Sequence, residues 1–144
     1  HCLDFNEKVY PKLKKKYGNK LEFTGIPIGW DGHDPGRFYY IAKENGKGHD
    51  VMMDLFHTII TAGLGKTVFK DRKQIQKIAV RHNLTKEFST KMDSLNIIEQ
   101  MVEGVNYAKD KGIRSTPTLV IENSIIPLSL SYSNLVKIID ALLK

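Results

Sequence analysis

The sequence has little of what would tie it to several common protein classes. It contains a single cysteine, Cys2, so it can form no internal disulfide. It has no apolar run of the roughly 18 residues that a membrane span requires, because Lys, Asp or Glu interrupts the longest candidates. His33, His49, His57 and His82 do not have the spacing of zinc ligands. We therefore predict no metal, no cofactor and no membrane span.

Composition and charge are those of a soluble globular domain of ordinary size. Hydrophobic residues make up 41% of the 144 residues and charged residues 26%. The net charge of +6 comes from lysines spread along the chain, with one dense run at residues 14–16. Lysines late in a helix interact favourably with its dipole, whereas a nucleic-acid surface would favour arginines and interleaved aromatics on one face. We interpret the run as a solvated helix end and predict no nucleic-acid partner.

The first thirty residues predict a helix followed by a strand. Residues 3–17 carry Phe5, Val9 and Leu13 at four-residue spacing, which indicates an amphipathic helix. Pro11 lies inside this pattern and should kink the helix, since proline removes a hydrogen bond and clashes with the previous turn. Gly18 should end the helix. Residues 21–30 then alternate apolar and small side chains, as in a strand that runs into a loop.

From residue 35 to 112 every pattern is helical. We predict helices over residues 35–45, 50–62, 71–82, 85–91 and 94–111. The expected N-caps, including an aspartate followed by proline at the first helix, are Asp34, Asp71, Thr85 and Ser94. Asn83 and Gly112 are the expected left-handed stops. This block is predicted to be a helical subdomain.

The last thirty residues change period again. Residues 118–122 and 125–128 predict two short strands joined by a turn at Asn123 and Ser124, and Ser133 is expected to cap a final helix through Leu143. The strands thus fall near the two ends of the chain, with the helices between them. That order predicts an α/β fold with an inserted helical block.

Pro117 and Cys2 are the two positions that indicate chemistry. A proline just before a buried strand cannot donate to the ladder, so Thr116-Pro117 is a candidate cis bond in a turn, the alternative being a trans proline in a strand-entry loop. The position of Cys2 also allows two interpretations. A lone cysteine is commonly a small buried hydrophobe, but Cys2 lies in the first turn of a helix beside His1, where backbone N–H groups and an imidazolium stabilise a thiolate.

Two stretches resemble the active-site segments of a known family. The first stretch, residues 1–30, is HCLDFNEKVYPKLKKKYGNKLEFTGIPIGW. It is similar to the second half of a Cys-x-His-Cys motif, the helix of that motif and the following strand in DsbA-like thiol-disulfide oxidoreductases. Proteins of this family have a thioredoxin fold. The second stretch, residues 112–123, is GIRSTPTLVIEN. It is similar to the loop that carries the family's cis-proline and to the strand after that loop. The resemblance implies an α/β thioredoxin-like domain over residues 1–30 and 112–144, with residues 31–111 as an inserted helical subdomain.

The resemblance also implies roles for individual residues. Cys2 matches the second, resolving cysteine, and His1 matches the residue between the cysteines that tunes the redox potential. Thr116 and Pro117, together with Ser115, match the cis-proline loop, whose backbone receives an extended substrate peptide by strand-like pairing. The implied partners are cysteine-containing protein substrates and a redox partner protein. The implied location is periplasmic or otherwise extracytoplasmic, where oxidising chemistry is useful.

The sequence departs from the family pattern at its start. The nucleophilic first cysteine would lie two positions before Cys2, and the strand that precedes the motif in the thioredoxin fold would lie further upstream. Since a sheet without that central strand would expose unpaired backbone on both of its neighbours, we expect upstream residues in the full protein. An alternative is a degenerate thioredoxin-fold binding module, or a relative of the glutathione-dependent isomerases, that uses the same groove without dithiol cycling.

Overall fold

In the computed structural model, which describes residues 1–29 and 32–144 without the side chains of residues 66, 67 and 69, the chain divides into two units. The terminal unit combines His1–Thr24 with Ile113–Lys144, and the central unit is Gly25–Gly112. Among the described residues, no helix has both the length and the apolar character to cross a membrane.

The terminal unit begins with one long helix, α1, whose bonding pattern changes along its length. It runs through an α-helical turn Cys2–Asp4, a π-helical turn Phe5–Val9 and an α-helical segment Tyr10–Tyr17. Pro11 has no N–H and its ring crowds the preceding turn, so regular α-helical bonding is interrupted near it. A π-helical turn precedes this proline, and in it the Tyr10 N–H donates to the Phe5 carbonyl.

The end of α1 lies where the sequence predicts it. Gly18 caps the helix with a φ of +55°, a left-handed conformation that favours glycine. A single 3₁₀ turn, Gly18–Lys20, follows.

The core of the terminal unit joins the two ends of the chain. Phe5, Leu13 and Tyr17 of α1 are buried with Leu135 of the last helix, α8, which spans Tyr132–Leu142. The Tyr17 hydroxyl donates to Asp140 Oδ1 at 2.7 Å, and burial together with this hydrogen bond raises the pKa of Tyr17 to about 12. These contacts hold residues together that lie more than a hundred positions apart in the chain.

The predicted strands are not formed as paired ladders. Among the described residues, the β-structure is a single antiparallel bridge, in which the N–H groups of Ile121 and Ile125 donate to each other's carbonyls at 2.8 and 2.9 Å. The chain reverses between them at Glu122 and Asn123, which have φ values of +51° and +60°. The turn predicted at Asn123 is therefore present, starting one residue earlier than expected.

The reason for this difference is a lack of strand neighbours. A strand exists only where a second segment supplies N–H and C=O groups along its length. Residues 21–29 are non-helical but, among the described residues, none of their backbone groups enters a ladder. The α/β class is therefore not confirmed by these residues, and Trp30, the predicted end of the first strand, lies outside them.

The described part of the central unit is mainly helical, and one of its helices, Gly65–Lys70, was not predicted. Its helices are α2 (Asp34–Glu44), α3 (Gly48–Phe56, continued by a π-helical turn His57–Thr61), α4 (Gly65–Lys70), α5 (Arg72–Arg81), α6 (Thr85–Lys91) and α7 (Leu95–Asp110). The predicted caps Asp71 and Ser94 accept hydrogen bonds from the backbone N–H groups of Lys73 and Ile97. Asn83 and Gly112 have φ values of +55° and +69°, so both left-handed stops are confirmed.

Other helix boundaries differ from the prediction. Asp34 does not cap α2; it accepts a hydrogen bond from Arg72 Nε at 2.9 Å, and His33 is the capping residue without a side-chain bond. Thr85 is likewise not a cap, because it is the first residue of α6. The capping position is occupied by Leu84, which makes no side-chain hydrogen bond there. At the last helix, Ser131 rather than Ser133 is the cap. Only the last of these three helices is capped by a side-chain hydrogen bond, in which Ser131 accepts from the Asn134 N–H.

The core of the central unit depends on a close approach between α2 and α7. Its largest fully buried side chains are Phe38, Ile41, Val51, Val68, Ile75, Ile78, Leu84 and Ile97. A Cβ at Gly104 would lie 2.6 Å from Tyr40 Oη and 2.9 Å from Ile26 Cγ2, well inside van der Waals contact. Tyr40 itself is only 6% exposed, so it has little room to move away. A residue without a side chain is therefore needed at this point of α7.

We expect Gly104→Ala to destabilise the protein by about 1–2 kcal/mol. Overpacking typically costs about 1–3 kcal/mol, and the better helix propensity of alanine offsets less than about 1 kcal/mol of that. Urea denaturation measures the difference. Asn106→Ala, at an exposed position of the same helix, is the control and should change stability by no more than about 0.5 kcal/mol. Equal stability of the two variants would contradict the close approach.

Asp54 links α3 to α5 through charged hydrogen bonds. Its carboxylate accepts from Arg81 Nη2 at 2.7 Å and from Arg81 Nε at 3.0 Å, and its Oδ2 lies 2.8 Å from His82 Nε2. Burial alone would raise the pKa of the Asp54 carboxyl, but the hydrogen bonds from Arg81 and His82 outweigh it and hold the pKa below its usual value.

We expect Asp54→Asn to destabilise the protein by about 1 kcal/mol at neutral pH, a modest value because Arg81 is half exposed. A carboxyl with a lowered pKa in the folded state stabilises the fold above its unfolded-state pKa of about 3.9, and this contribution disappears as pH falls through the folded-state value. The difference between wild type and variant should therefore be constant above about pH 5 and shrink below about pH 4. Denaturation at several pH values measures it, with Glu99→Gln, at an exposed position, as the control.

Candidate active site

The amino end of α1 presents the thiol. His1 is the capping residue, and its carbonyl accepts a hydrogen bond from the Phe5 N–H at 3.0 Å. Cys2 begins the helix, is half-buried and is a free cysteine. The first N–H groups of any helix have no partner within it, and they carry the positive end of the dipole.

The loop around Pro117 is a closed turn. The Thr116-Pro117 peptide bond, which the sequence singles out as a candidate cis bond, is cis. The Thr118 hydroxyl donates to the Ser115 carbonyl at 2.6 Å and thereby closes the loop on itself. Ser115 and Thr116 are exposed, whereas Pro117 is half-buried. Within the part of the chain that the structure describes, the backbone of residues 116–120 makes no hydrogen bond to other backbone groups.

One open cavity of about 310 Å³ lies between this loop and the start of α1. Its lining residues are His1, Asp4, Phe5, Lys8 and Val9 of α1, with Pro117 and Leu130. Small-molecule sites span roughly 300–1,000 Å³, so this cavity is large enough for a side chain or a short piece of peptide and small for a bulky cofactor. The rings of Pro117 and Phe5 give it an apolar side, and His1, Asp4 and Lys8 give it a polar one.

An ion pair lies in the polar wall of the cavity. Lys8 Nζ and Asp4 Oδ1 are 3.1 Å apart, one turn from each other on α1. The hydrogen bond from Lys8 and the charge of its ammonium group hold the pKa of the Asp4 carboxyl below its usual range. Asp4 is therefore negatively charged at neutral pH, and Lys8 partly offsets that charge beside the thiol-bearing turn.

Asn6 holds the first turn from inside the terminal unit. It is 6% exposed, and its Nδ2 donates to the Cys2 carbonyl at 2.8 Å. Its Oδ1 is buried and has no hydrogen-bond partner among the described residues. Asn6 was not among the predicted site residues. A short amide four residues after a cysteine was the available signal, since such side chains reach back over one helical turn.

The structure brings some of the predicted site residues together. His1 and Pro117 line the same cavity although they lie far apart in the sequence. Cys2 follows His1 in the chain but is not one of the lining residues, and neither are Ser115 and Thr116. Asp4, Lys8 and Leu130 belong to the cavity and were not predicted. In the described part of the chain, no group of three or more His, Cys, Asp or Glu side chains could hold a metal ion.

Comparison with known proteins gives one match. The family model of the DSBA-like thioredoxin domain matches residues 8–140. The matched range includes Ser115, Thr116 and Pro117 and begins after His1 and Cys2. No curated protein and no solved structure is found to match the chain.

Proposed function

The chain belongs to the family of DSBA-like thioredoxin domains, and from this membership we propose that it exchanges disulfide bonds with cysteine-containing protein substrates. Within the proposal, the terminal unit corresponds to the thioredoxin-like domain, predicted over residues 1–30 and 112–144. The central unit corresponds to the inserted helical subdomain, predicted over residues 31–111. The α/β sheet of the thioredoxin fold is part of this proposal.

The single observation that carries the proposal is the cavity shared by His1 and Pro117. Thiol-disulfide exchange with a protein needs a thiolate next to a surface where a peptide can lie. The start of α1 supplies the first requirement, because Cys2 is the first residue of the helix, at the positive end of its dipole. The loop around Pro117 supplies the second, because among the described residues the backbone of residues 116–118 makes no hydrogen bond to other backbone groups and can pair with an extended peptide.

The proposed chemistry uses a Cys-x-His-Cys motif that ends in His1 and Cys2. The thiolate of the first cysteine of the motif, two positions before Cys2, attacks a substrate disulfide. A mixed disulfide forms with one substrate sulfur, and the other substrate sulfur leaves as a thiolate. The Cys2 thiolate then attacks the sulfur of that first cysteine, so a new bond joins the two cysteines of the motif and the substrate leaves as a thiolate. Run in reverse, the same steps pass a disulfide to the substrate. His1, when protonated, would stabilise the Cys2 thiolate and so shift the equilibrium between the oxidised and reduced forms of the motif.

The partners follow from this chemistry. Each cycle leaves the motif oxidised or reduced, so a redox partner protein must restore it. Members of this family typically act outside the cytoplasm, where disulfides persist, and we propose a periplasmic or other extracytoplasmic location. In the proposed complex, Thr116 offers its backbone groups to the substrate, and Ser115 and Pro117 flank it.

Mass spectrometry of the intact full-length protein tests the proposal. We expect the oxidised protein to gain no alkyl group from N-ethylmaleimide and the reduced protein to gain two, because the two cysteines of the motif are joined in the oxidised form. The Cys2→Ser variant should gain one group without prior reduction.

One alkyl group on the wild type in both states would contradict a dithiol cycle. The residue two positions before Cys2 then separates the alternatives. A serine there favours a relative of the glutathione-dependent isomerases, and any residue other than cysteine or serine favours a binding module without redox cycling.

The loop at Pro117 gives a second prediction. Thr118→Val keeps the shape of the side chain but removes the hydroxyl that closes the loop on the Ser115 carbonyl. We expect exchange with a disulfide-bonded protein substrate to slow about fivefold, the value of one ordinary hydrogen bond. Alkylation of Cys2 by a small reagent should be unchanged, since that reagent does not need the loop.

Thr90→Val is the matched control. The Thr90 hydroxyl also donates to a backbone carbonyl, that of Lys86 at 2.9 Å, but it lies in the central unit. Its exchange rate should equal that of the wild type. An equal effect of both substitutions, or none of Thr118→Val, would count against substrate binding at this loop.

A further inference from the structure

Asn6 is a polar side chain in an unfavourable place. It lies on α1 next to the core residue Phe5 and is more than nine-tenths buried. A buried amide is tolerated when all of its polar atoms are hydrogen-bonded. In Asn6 one of the two polar atoms is not hydrogen-bonded, because Oδ1 has no partner among the described residues. A buried acceptor without a donor destabilises the fold, and an apolar side chain of similar size would remove that cost.

The other half of the amide contacts the backbone of the cysteine. Asn6 Nδ2 donates to the Cys2 carbonyl at 2.8 Å. This bond lies where the helix changes its pattern, since the α-helical turn Cys2–Asp4 gives way to the π-helical turn Phe5–Val9. The Cys2 carbonyl also accepts a hydrogen bond from the Phe5 backbone N–H. The side chain of Asn6 therefore adds a second hydrogen bond that holds the thiol-bearing turn.

We propose that Asn6 is a positioning residue for Cys2, which it holds through the Cys2 carbonyl. By fixing the first turn of α1, Asn6 keeps the thiol beside the unpaired backbone N–H groups that stabilise the thiolate. The inference rests on the proposed function, because it assigns Asn6 a role in the reactivity of the same cysteine. This role explains why an amide occupies a position where it weakens the fold. The amide nitrogen that binds the Cys2 carbonyl cannot be present without the amide oxygen that has no partner among the described residues.

The decisive variant is Asn6→Leu in the full-length protein. It removes the tie and the unpaired oxygen together. We expect alkylation of Cys2 by iodoacetamide at neutral pH, followed on the Cys2 peptide by mass spectrometry of the reduced protein, to slow about fivefold. The thermal midpoint should stay the same or rise. A residue with a merely structural role would show the opposite pattern, namely a lower midpoint and an unchanged alkylation rate.

Two further variants separate the hydrogen bond from other effects. Asn6→Ser keeps a donor, because a serine hydroxyl can reach the carbonyl four residues back in a helix, and it should recover most of the wild-type alkylation rate. Asn45→Leu is the matched control, since Asn45 Nδ2 makes the same bond, at the same 2.8 Å, to the Ile41 carbonyl in the central unit. It should leave the alkylation of Cys2 unchanged.

The proposal is overturned if Asn6→Leu reacts at the wild-type rate, if Asn6→Ser reacts as slowly as Asn6→Leu, or if Asn6→Leu fails to fold. The last result would mean that the amide is needed for folding. Equilibration of the wild type in glutathione redox buffers provides an independent readout. If no disulfide forms there, the proposed function fails, while the alkylation rates still decide the role of Asn6.

Discussion

The packing of α1 against α8 is the constraint on which the terminal unit depends. Phe5, Leu13 and Tyr17 meet Leu135 in one core, and the hydrogen bond from Tyr17 to Asp140 ties the same two helices. This core fixes α1 against the segment that leads into α8. The cavity at the amino end of α1 is a consequence, because its two sides come from these two parts of the chain.

Local signals predicted most of the helices, but not the short helix α4 (Gly65–Lys70). Asp71 and Ser94 cap their helices because a short side chain can reach the N–H groups one turn ahead, whatever the rest of the protein does. Asn83 and Gly112 adopt left-handed backbone for equally local reasons. Where a tertiary contact competed, the prediction was wrong. Asp34 binds Arg72 instead of capping α2, and no pattern in the sequence pairs these two residues.

The strands and the site depend on what lies beside a residue in space. An alternating pattern predicts an extended segment but does not supply its neighbour, and the described residues pair only at Ile121 and Ile125. Pro117 was singled out by its place before a predicted strand and His1 by its place beside Cys2, and both line one cavity. Asn6 was missed, because a polar residue near an apolar face is ordinarily expected to point to solvent, and its burial becomes visible only in three dimensions.

The π-helical turn Phe5–Val9 has a geometric consequence for α1. Successive residues of an α-helix are rotated by about 100° around the axis, and a π-helical turn accommodates one more residue than an α-helical turn does. The side chains before the π-helical turn, including Cys2, are therefore rotated around the helix axis relative to those after it, including Leu13 and Tyr17. Shortening the turn by a single residue would leave the anchoring face in place and swing the sulfur a quarter of the way around the cylinder.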